Sequence, residues 1–507
     1  MNNNQYSVLR NDCCIALKEI PLHKYGDFYT LMIGLMKKEN NHCVSYYGFP
    51  WKDKIRLIGC VADDDTGNIY VASHQQDKER PAALPSLTQD CLAMHAFERE
   101  ITENFNISFE GHPWLKPLRY THDQGDQTKK IEEYPFFKID NEDLHEVGVG
   151  PIHAGIIEPG HFRFICNGEQ VLNLEIQLGY QHRGIEKLLR EKKHILHQTV
   201  LAESIAGDTT IGHVLCFIGL IEALSQTRVS EHVCIERCIA LELERMAMHV
   251  GSLGGMCADI AYQLGGAIFG ALRTPIINFL QLWCGNRFGR GLIRTGGTHY
   301  SLNQKLIQQL NEVLIDFEIR FEQMTNQLFS KPGVLSRFEE TGTVSNQQVC
   351  MMGAVGMVAR SSGLNRDIRS SHPFSCFKKK KYNPEVVSKG DVLARAQLRS
   401  QEIGLSIQYI RGLLEMYSLA DRSNSEKPRF DFKMNPESFS ISLTEGFRGE
   451  ICHSIVTNNK GEVAHYKVKD ASFHNWMALT MAVRNQGISD FPICNKSFDL
   501  SYCGHDL

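Results

Sequence analysis

From about residue 165 onward the chain is patterned for long amphipathic helices, and this constrains its fold more than any other feature. In 301–330, Leu302, Leu306, Leu310, Val313, Phe317, Phe321, Met324 and Leu328 recur at i, i+4, i+8, i+11 spacing. That spacing turns one face of a single helix toward a core. Ile235, Ile239, Leu243, Met246 and Val250 form a second stripe, and Ile403, Ile407, Ile410 and Leu414 a third. Ser301 with Gln304 reads as a capping box, and Pro332-Gly333 as the stop. A hairpin is expected at 451–468 around Asn458-Asn459-Lys460-Gly461, and a last helix at 473–485. Facing helices of this kind often carry sites between them.

Residues 1–120 read as α+β. KIRLIGCV (54–61) and IYVAS (69–73) are β-rich and flank the turn-forming DDDTGN, which predicts a hairpin. A helix begins near Asp90 and ends before Gly111-His112-Pro113. Residues 121–145 are polar, charged and weakly periodic, the pattern of a linker. The expected organisation is therefore an α+β domain (1–120), a linker (121–145) and a mainly α-helical domain with a small β-element (146–507).

The 507 residues carry 54 Lys+Arg against 58 Asp+Glu. This near-balance leaves no electrostatic footprint for nucleic acid. Hydrophobic residues make up 42% of the chain, enough to bury large cores. The most apolar stretch, 256–284, is interrupted by Asp259, Gln263, Arg273, Asn278 and Gln281. It falls short of the ~18 uninterrupted apolar residues of a membrane helix. MNNNQYSVLRNDCC has no apolar signal core. The chain is thus expected in the cytosol, reaching a membrane only through partners. Its sixteen Cys include no C-x-x-C pair and read as reduced, mostly buried thiols.

No Walker A, H-E-x-x-H or G-x-S-x-G pattern occurs. Three polar clusters set charges beside small or apolar residues. The first is the turn-rich GPIHAGIIEPGHFR (150–163) with His153. The second is Arg183-Gly184-Ile185-Glu186, followed by Ala206-Gly207-Asp208-Thr209-Thr210-Ile211-Gly212-His213. The third is Glu445-Gly446-Phe447-Arg448-Gly449-Glu450. Each alone is compatible with caps, turns and satisfied ion pairs.

With GYQHRGIEKL (179–188), LELERMAMHVGSLG (241–254), RGLIRTGG (290–297), MVARSSGLNRDIRSSHP (357–373) and SFDLSYCGHDL (497–507), these segments follow one family's order. The chain resembles the large subunit of membrane-bound [NiFe] hydrogenases of the formate-hydrogenlyase type. It equally resembles the 49-kDa-type quinone-site subunit of respiratory complex I. Phe97-Glu-Arg-Glu-Ile and Phe109-Glu-Gly-His-Pro113 resemble the end of the complex I 30-kDa-type domain, here fused N-terminally.

The departures from that family bear on function. In the hydrogenases two C-x-x-C pairs hold the Ni–Fe centre. Here the matching positions are Ala206, Thr209, Ser501 and Gly504. Thiolates hold soft, low-valent metal, and Ala and Gly have no donor atom. Cys503 lies one residue before its slot and cannot replace the set. The resemblance therefore implies no metal bound by this chain. The complex I tyrosine thought to bond the quinone head falls near Gly207, and no Tyr lies between Tyr180 and Tyr262. A quinone or other acceptor is expected to use His153 with Asp208 or Thr209.

The remaining framework, Arg183, Glu186, Asp208, His213 and Arg448, supplies the expected catalytic set. The resemblance makes Glu186 a proton-relay candidate, with a pKa raised if buried. It places Arg448 over the former metal position, where it can pair with Asp208. The resemblance further implies an iron–sulfur small subunit with a [4Fe–4S] cluster, ferredoxin-like subunits and antiporter-like membrane subunits. The chain would be a peripheral subunit on the cytoplasmic side of the membrane, coupling electron transfer to ion translocation. Two alternatives stay open at this level: a true [NiFe] hydrogenase, and a non-catalytic scaffold in a transport complex.

Overall fold

The computed structural model describes residues 5–79, 81–120, 130–153, 157–419 and 428–507. It is an α+β molecule, sheet-rich at the N-terminus and helical beyond. The first nine residues of the predicted linker, 121–129, lie outside the described residues, as do 154–156 of the His153 loop.

The predicted first hairpin is present and longer than its apolar cores. Lys54–Asp63 and Asn68–Asp77 pair antiparallel, closing at Asp63↔Asn68. Gly67, at φ +67°, supplies the left-handed position of the turn. Asn41–Trp51 extends the sheet on one side, and Ser7–Leu9 and Leu22–His23 extend it on the other. Helices Tyr25–Met36 and His95–Phe105 cover one face around Phe28, Met32, Leu57 and Phe97. The opposite face, with Tyr47, Phe49, Ile58 and Cys60, joins the core of the helical body. Burial on both faces is why these strands are nearly continuously apolar rather than alternating.

One boundary needs correction. Cys13–Ala16, assigned by sequence to the 1–120 unit, is the edge strand of the C-terminal sheet. That sheet runs Val463–Lys469, Glu450–Thr457, Ser438–Glu445, Cys13–Ala16. The first segment of the chain thus stitches the two regions together.

The helical body is organised by Glu231–Asp259, a helix buried on every face. Val392–Leu419, Gln263–Cys284 and Phe491–Phe498 pack around it. The 301–330 stripe forms helix Gln304–Ser330, but its cap is Asn303, which accepts from the Leu306 N–H, rather than Ser301. Pro332 opens the next helix at its first turn. A second difference is a three-stranded antiparallel sheet, Gln170–Gln177, His161–Asn167, His145–Val149, in a region read as loop and helix. Phe162, Phe164 and Cys166 alternate inward there, a period-2 signal that the turn-rich flank concealed. The second hairpin and the Ser472–Ala482 helix match expectation.

Candidate functional site

Three segments meet at the end of the central helix bundle: the approach to helix Thr210–Ser225, the turn between Ser438–Glu445 and Glu450–Thr457, and the C-terminal stretch beyond Phe498. The turn carries Arg448. It is close-packed because Gly449, at φ +135°, sits against Gly356, where a Cβ would lie 2.6 Å from the Gly356 Cα.

Two guanidiniums tie the segments together. Arg448 donates to both Asp208 carboxylate oxygens (2.8 and 2.6 Å), to Thr209 Oγ1 (3.2 Å) and to the Asp499 carbonyl. Burial opposes its charge, but Asp208, Asp499 and Asp470 hold it protonated. Arg183 donates to the carbonyls of Ser204 (2.7 Å), Ile205 (2.7 Å) and Cys503 (3.3 Å). The carbonyls of Ile205 and Cys503 immediately precede Ala206 and Gly504. The four positions that hold thiolates in the hydrogenases are thus brought to one place.

Their chemistry does not fit a Ni–Fe centre. Ala206 has no donor. A Cβ at Gly504 would lie 2.8 Å from Asp470 Cγ, so Asp470 occupies the space a side chain needs. Ser501 Oγ accepts from the Gly504 N–H, capping the last helix (2.9 Å). Cys503 is held as a thiol, its pKa pushed to about 12 by burial and the Glu158 carboxylate. Among the described residues no three His, Cys, Asp or Glu side chains converge as a metal would require.

Glu186 departs from expectation. Burial pushes its pKa up, but the Lys467 ammonium at 2.9 Å, Arg119 and the Val468 N–H outweigh burial and hold it below the ordinary carboxylate value. The expected raised pKa is therefore corrected: the side chain is partly exposed and salt-bridged. Lys467 also pairs with Glu100, which pairs with Arg119. Glu186, Glu100 and Arg119 border a small cavity of about 60 Å³.

A buried carboxyl whose pKa is raised is Glu244, on the central helix. It accepts from the backbone N–H of Ile211 (2.6 Å) and Gly212 (3.1 Å) at the start of helix Thr210–Ser225. Burial is the largest influence, reinforced by Asp208, and lifts its pKa to about 8 against the two hydrogen bonds. Nearby, Arg245, Arg360 and Arg369 interleave with Glu242, Asp367, Glu402 and Glu445. Four carboxyls against three guanidiniums leave one negative group in excess. Burial and the neighbouring Asp367 raise Glu445 to about 7. His213 pairs with Asp470 (3.2 Å), and Arg366 and His372 meet Asp64 in the turn of the N-terminal hairpin (3.1 and 3.6 Å).

His153 lines a different cavity, of about 440 Å³, walled by Val149, Phe162, Phe164, Phe491 and Leu500. Its polar groups include Asp499, Lys496 and Tyr502. Asp208 and Thr209 are not among the lining residues; Asp208 is committed to Arg448, on the other side of Asp499. Tyr502, contributed from a distant segment, also lines this cavity. No local signal marks it.

This combination defines a class: a hydrogenase-type large-subunit fold without thiolate ligands, with an α+β unit fused to its N-terminus. The respiratory-chain NADH dehydrogenase 49-kDa subunit family matches residues 259–506, and the 30-kDa subunit family matches residues 28–136. The chain is 24% identical to formate hydrogenlyase subunit 5 of Escherichia coli over 503 residues, 96% of this chain and 85% of the relative. It is 25% identical to hydrogenase-4 component G of the same organism over 391 residues, 77% of this chain and 67% of the relative. It is 26% identical to the C/D-type NADH-quinone oxidoreductase subunit of Phocaeicola vulgatus over 488 residues, 89% of this chain and 91% of the relative. Residues 28–136 and 259–506 thus belong to the 30-kDa and 49-kDa subunit families, joined in one chain. No helix among the described residues is long and apolar enough to cross a membrane.

Proposed function

We propose that the chain is the peripheral, cytoplasmic-side subunit of a membrane-anchored complex, where electrons from a neighbouring [4Fe–4S] small subunit meet an acceptor. Ferredoxin-like subunits would feed that cluster, and antiporter-like membrane subunits would use the energy for ion translocation. The observation that carries this reading is that Arg183 and Arg448 tie the 205–209 segment to the 499–503 segment, with no thiolate at Ala206, Thr209, Ser501 or Gly504, beside the cavity of His153 and Tyr502. The cavity's size suits a quinone-type ring, which could lie on the apolar wall of Val149, Phe162, Phe164, Phe491 and Leu500. The Tyr502 phenol can donate to one oxygen of such a ring; His153 already donates from Nε2 to the Gly160 carbonyl (2.9 Å), so it would donate to the other oxygen from Nδ1 only as an imidazolium.

The purified complex should reduce or oxidise a short-chain quinone, or couple to ferredoxin, without nickel. His153→Ala and Tyr502→Phe should each raise the quinone KM severalfold with the fold intact. Stoichiometric nickel in the pure complex would overturn the reading. Quinone kinetics unchanged in both variants would remove the cavity from it.

A further inference from the structure

Beneath the emptied position of Gly504 begins an unbroken buried chain of hydrogen bonds. Asp470 Oδ2 lies 3.2 Å from His213 Nε2, His213 Nδ1 lies 3.0 Å from His453 Nε2, and His453 Nδ1 lies 2.8 Å from the Tyr466 hydroxyl. All four residues are at most 2% exposed. Tyr466 in turn forms part of the wall of the small cavity beside Glu186. Three separate elements supply these groups: helix Thr210–Ser225 and the two strands Glu450–Thr457 and Val463–Lys469, with Asp470 directly following the last.

We propose that Asp470, His213, His453 and Tyr466 form a reversible proton-shifting chain linking the former metal position to the Glu186 cavity. This rests on the acceptor-site reading above. The order of the bonds follows from their chemistry. The Asp470 carboxylate can only accept, so His213 donates from Nε2. In the proposed chain His213 accepts at Nδ1 from His453 Nε2–H, and His453 accepts at Nδ1 from the Tyr466 hydroxyl. Every hydrogen points toward Asp470.

When negative charge is added near Gly504, one proton can move without leaving a charge on either ring. The His213 Nε2 proton passes to Asp470 Oδ2, and the His453 Nε2 proton to His213 Nδ1. The Tyr466 proton passes to His453 Nδ1, and the Tyr466 oxygen takes a proton delivered by water in the cavity. The reverse sequence returns it on reoxidation, so neither ring needs to turn over. The charge state of the site is thereby transmitted to the Glu186–Lys467–Glu100 cluster.

Histidine-selective ¹⁵N NMR of the full chain reads the tautomers directly. Both rings are expected neutral and protonated at Nε2. An imidazolium, or an Nδ1–H tautomer at either ring, overturns the proposal whatever the complex does. In the membrane complex, Tyr466→Phe keeps the ring and its packing on Phe217 but lacks the transferable proton. Turnover should fall at least tenfold, with the acceptor KM within twofold and reduction of the partner's cluster by the donor unchanged. Turnover preserved in both Tyr466→Phe and His453→Gln overturns the relay. A native complex without turnover on any quinone or ferredoxin refutes the acceptor-site reading instead, and the tautomers still decide the chain of hydrogen bonds.

Discussion

Glu244 makes the pH dependence of stability calculable. Its side chain is 2% exposed and accepts two backbone N–H groups, yet burial and Asp208 lift its pKa from 4.5 to about 8. In the unfolded chain the carboxyl loses its proton near 4.5. Between these values the native state binds a proton that the unfolded state has released, so stability must fall as pH rises. The slope is about 1.4 kcal/mol per pH unit, giving a deficit of about 3 kcal/mol at pH 7 and about 4 kcal/mol at pH 8, where the native carboxyl is half ionised. Glu244→Gln cannot ionise, and its carbonyl oxygen can still cap the helix. The stability of the variant relative to the native chain should climb by about 3.5 kcal/mol between pH 5 and pH 8. Urea unfolding followed by circular dichroism at several pH values measures this. Parallel curves would refute the reasoning, and a variant that loses ground as pH rises would show that Glu244 is ionised in the native state.

Other outcomes follow from the same contacts. Arg448→Met leaves Asp208 and Thr209 without their shared donor, and should cost about 1–3 kcal/mol in urea unfolding, the lower end reflecting the partial exposure of Asp208. Lys467→Met leaves Glu100 and Glu186 facing each other and should destabilise by about 3 kcal/mol at pH 7. Because Glu186 is held below its ordinary value in the fold, its share of that stabilisation is present above pH 4.5 and is lost as pH falls below it. The two unfolding curves should therefore converge in acid. Gly504→Cys forces a Cβ to within 2.8 Å of Asp470 and should lower stability by about 1–3 kcal/mol in a thermal melt, with no nickel retained after dialysis.

Much of the fold was legible locally. DDDTGN and Asn458-Asn459-Lys460-Gly461 carry their own turn chemistry, and the long stripes carry helical period, so both hairpins and the long helices could be read without tertiary information. The strands at 161–177 show that a period-2 signal is lost when it follows a Gly- and Pro-rich loop. The cap of the 304–330 helix lay two residues from its apparent position, since Ser301 and Asn303 offer equivalent side-chain acceptors.

The residue types alone determined that Ala206 and Gly504 bring no donor atom and that Thr209 and Ser501 bring no sulfur, because side-chain chemistry is covalent and no folding can change it. They also determined that Arg448 and Asp208 carry opposite charges within reach of one site. Tertiary structure decided the rest: that Lys467 holds the Glu186 carboxylate ionised, that burial raises the pKa of Glu244 and Glu445, and that Tyr502 lines the His153 cavity. It also decided that Cys13–Ala16 belongs to the far sheet and that Asp470, His213, His453 and Tyr466 line up. Proton affinity depends on how burial and neighbouring charge balance at one point in space, and the groups that set that balance lie hundreds of residues apart along the chain.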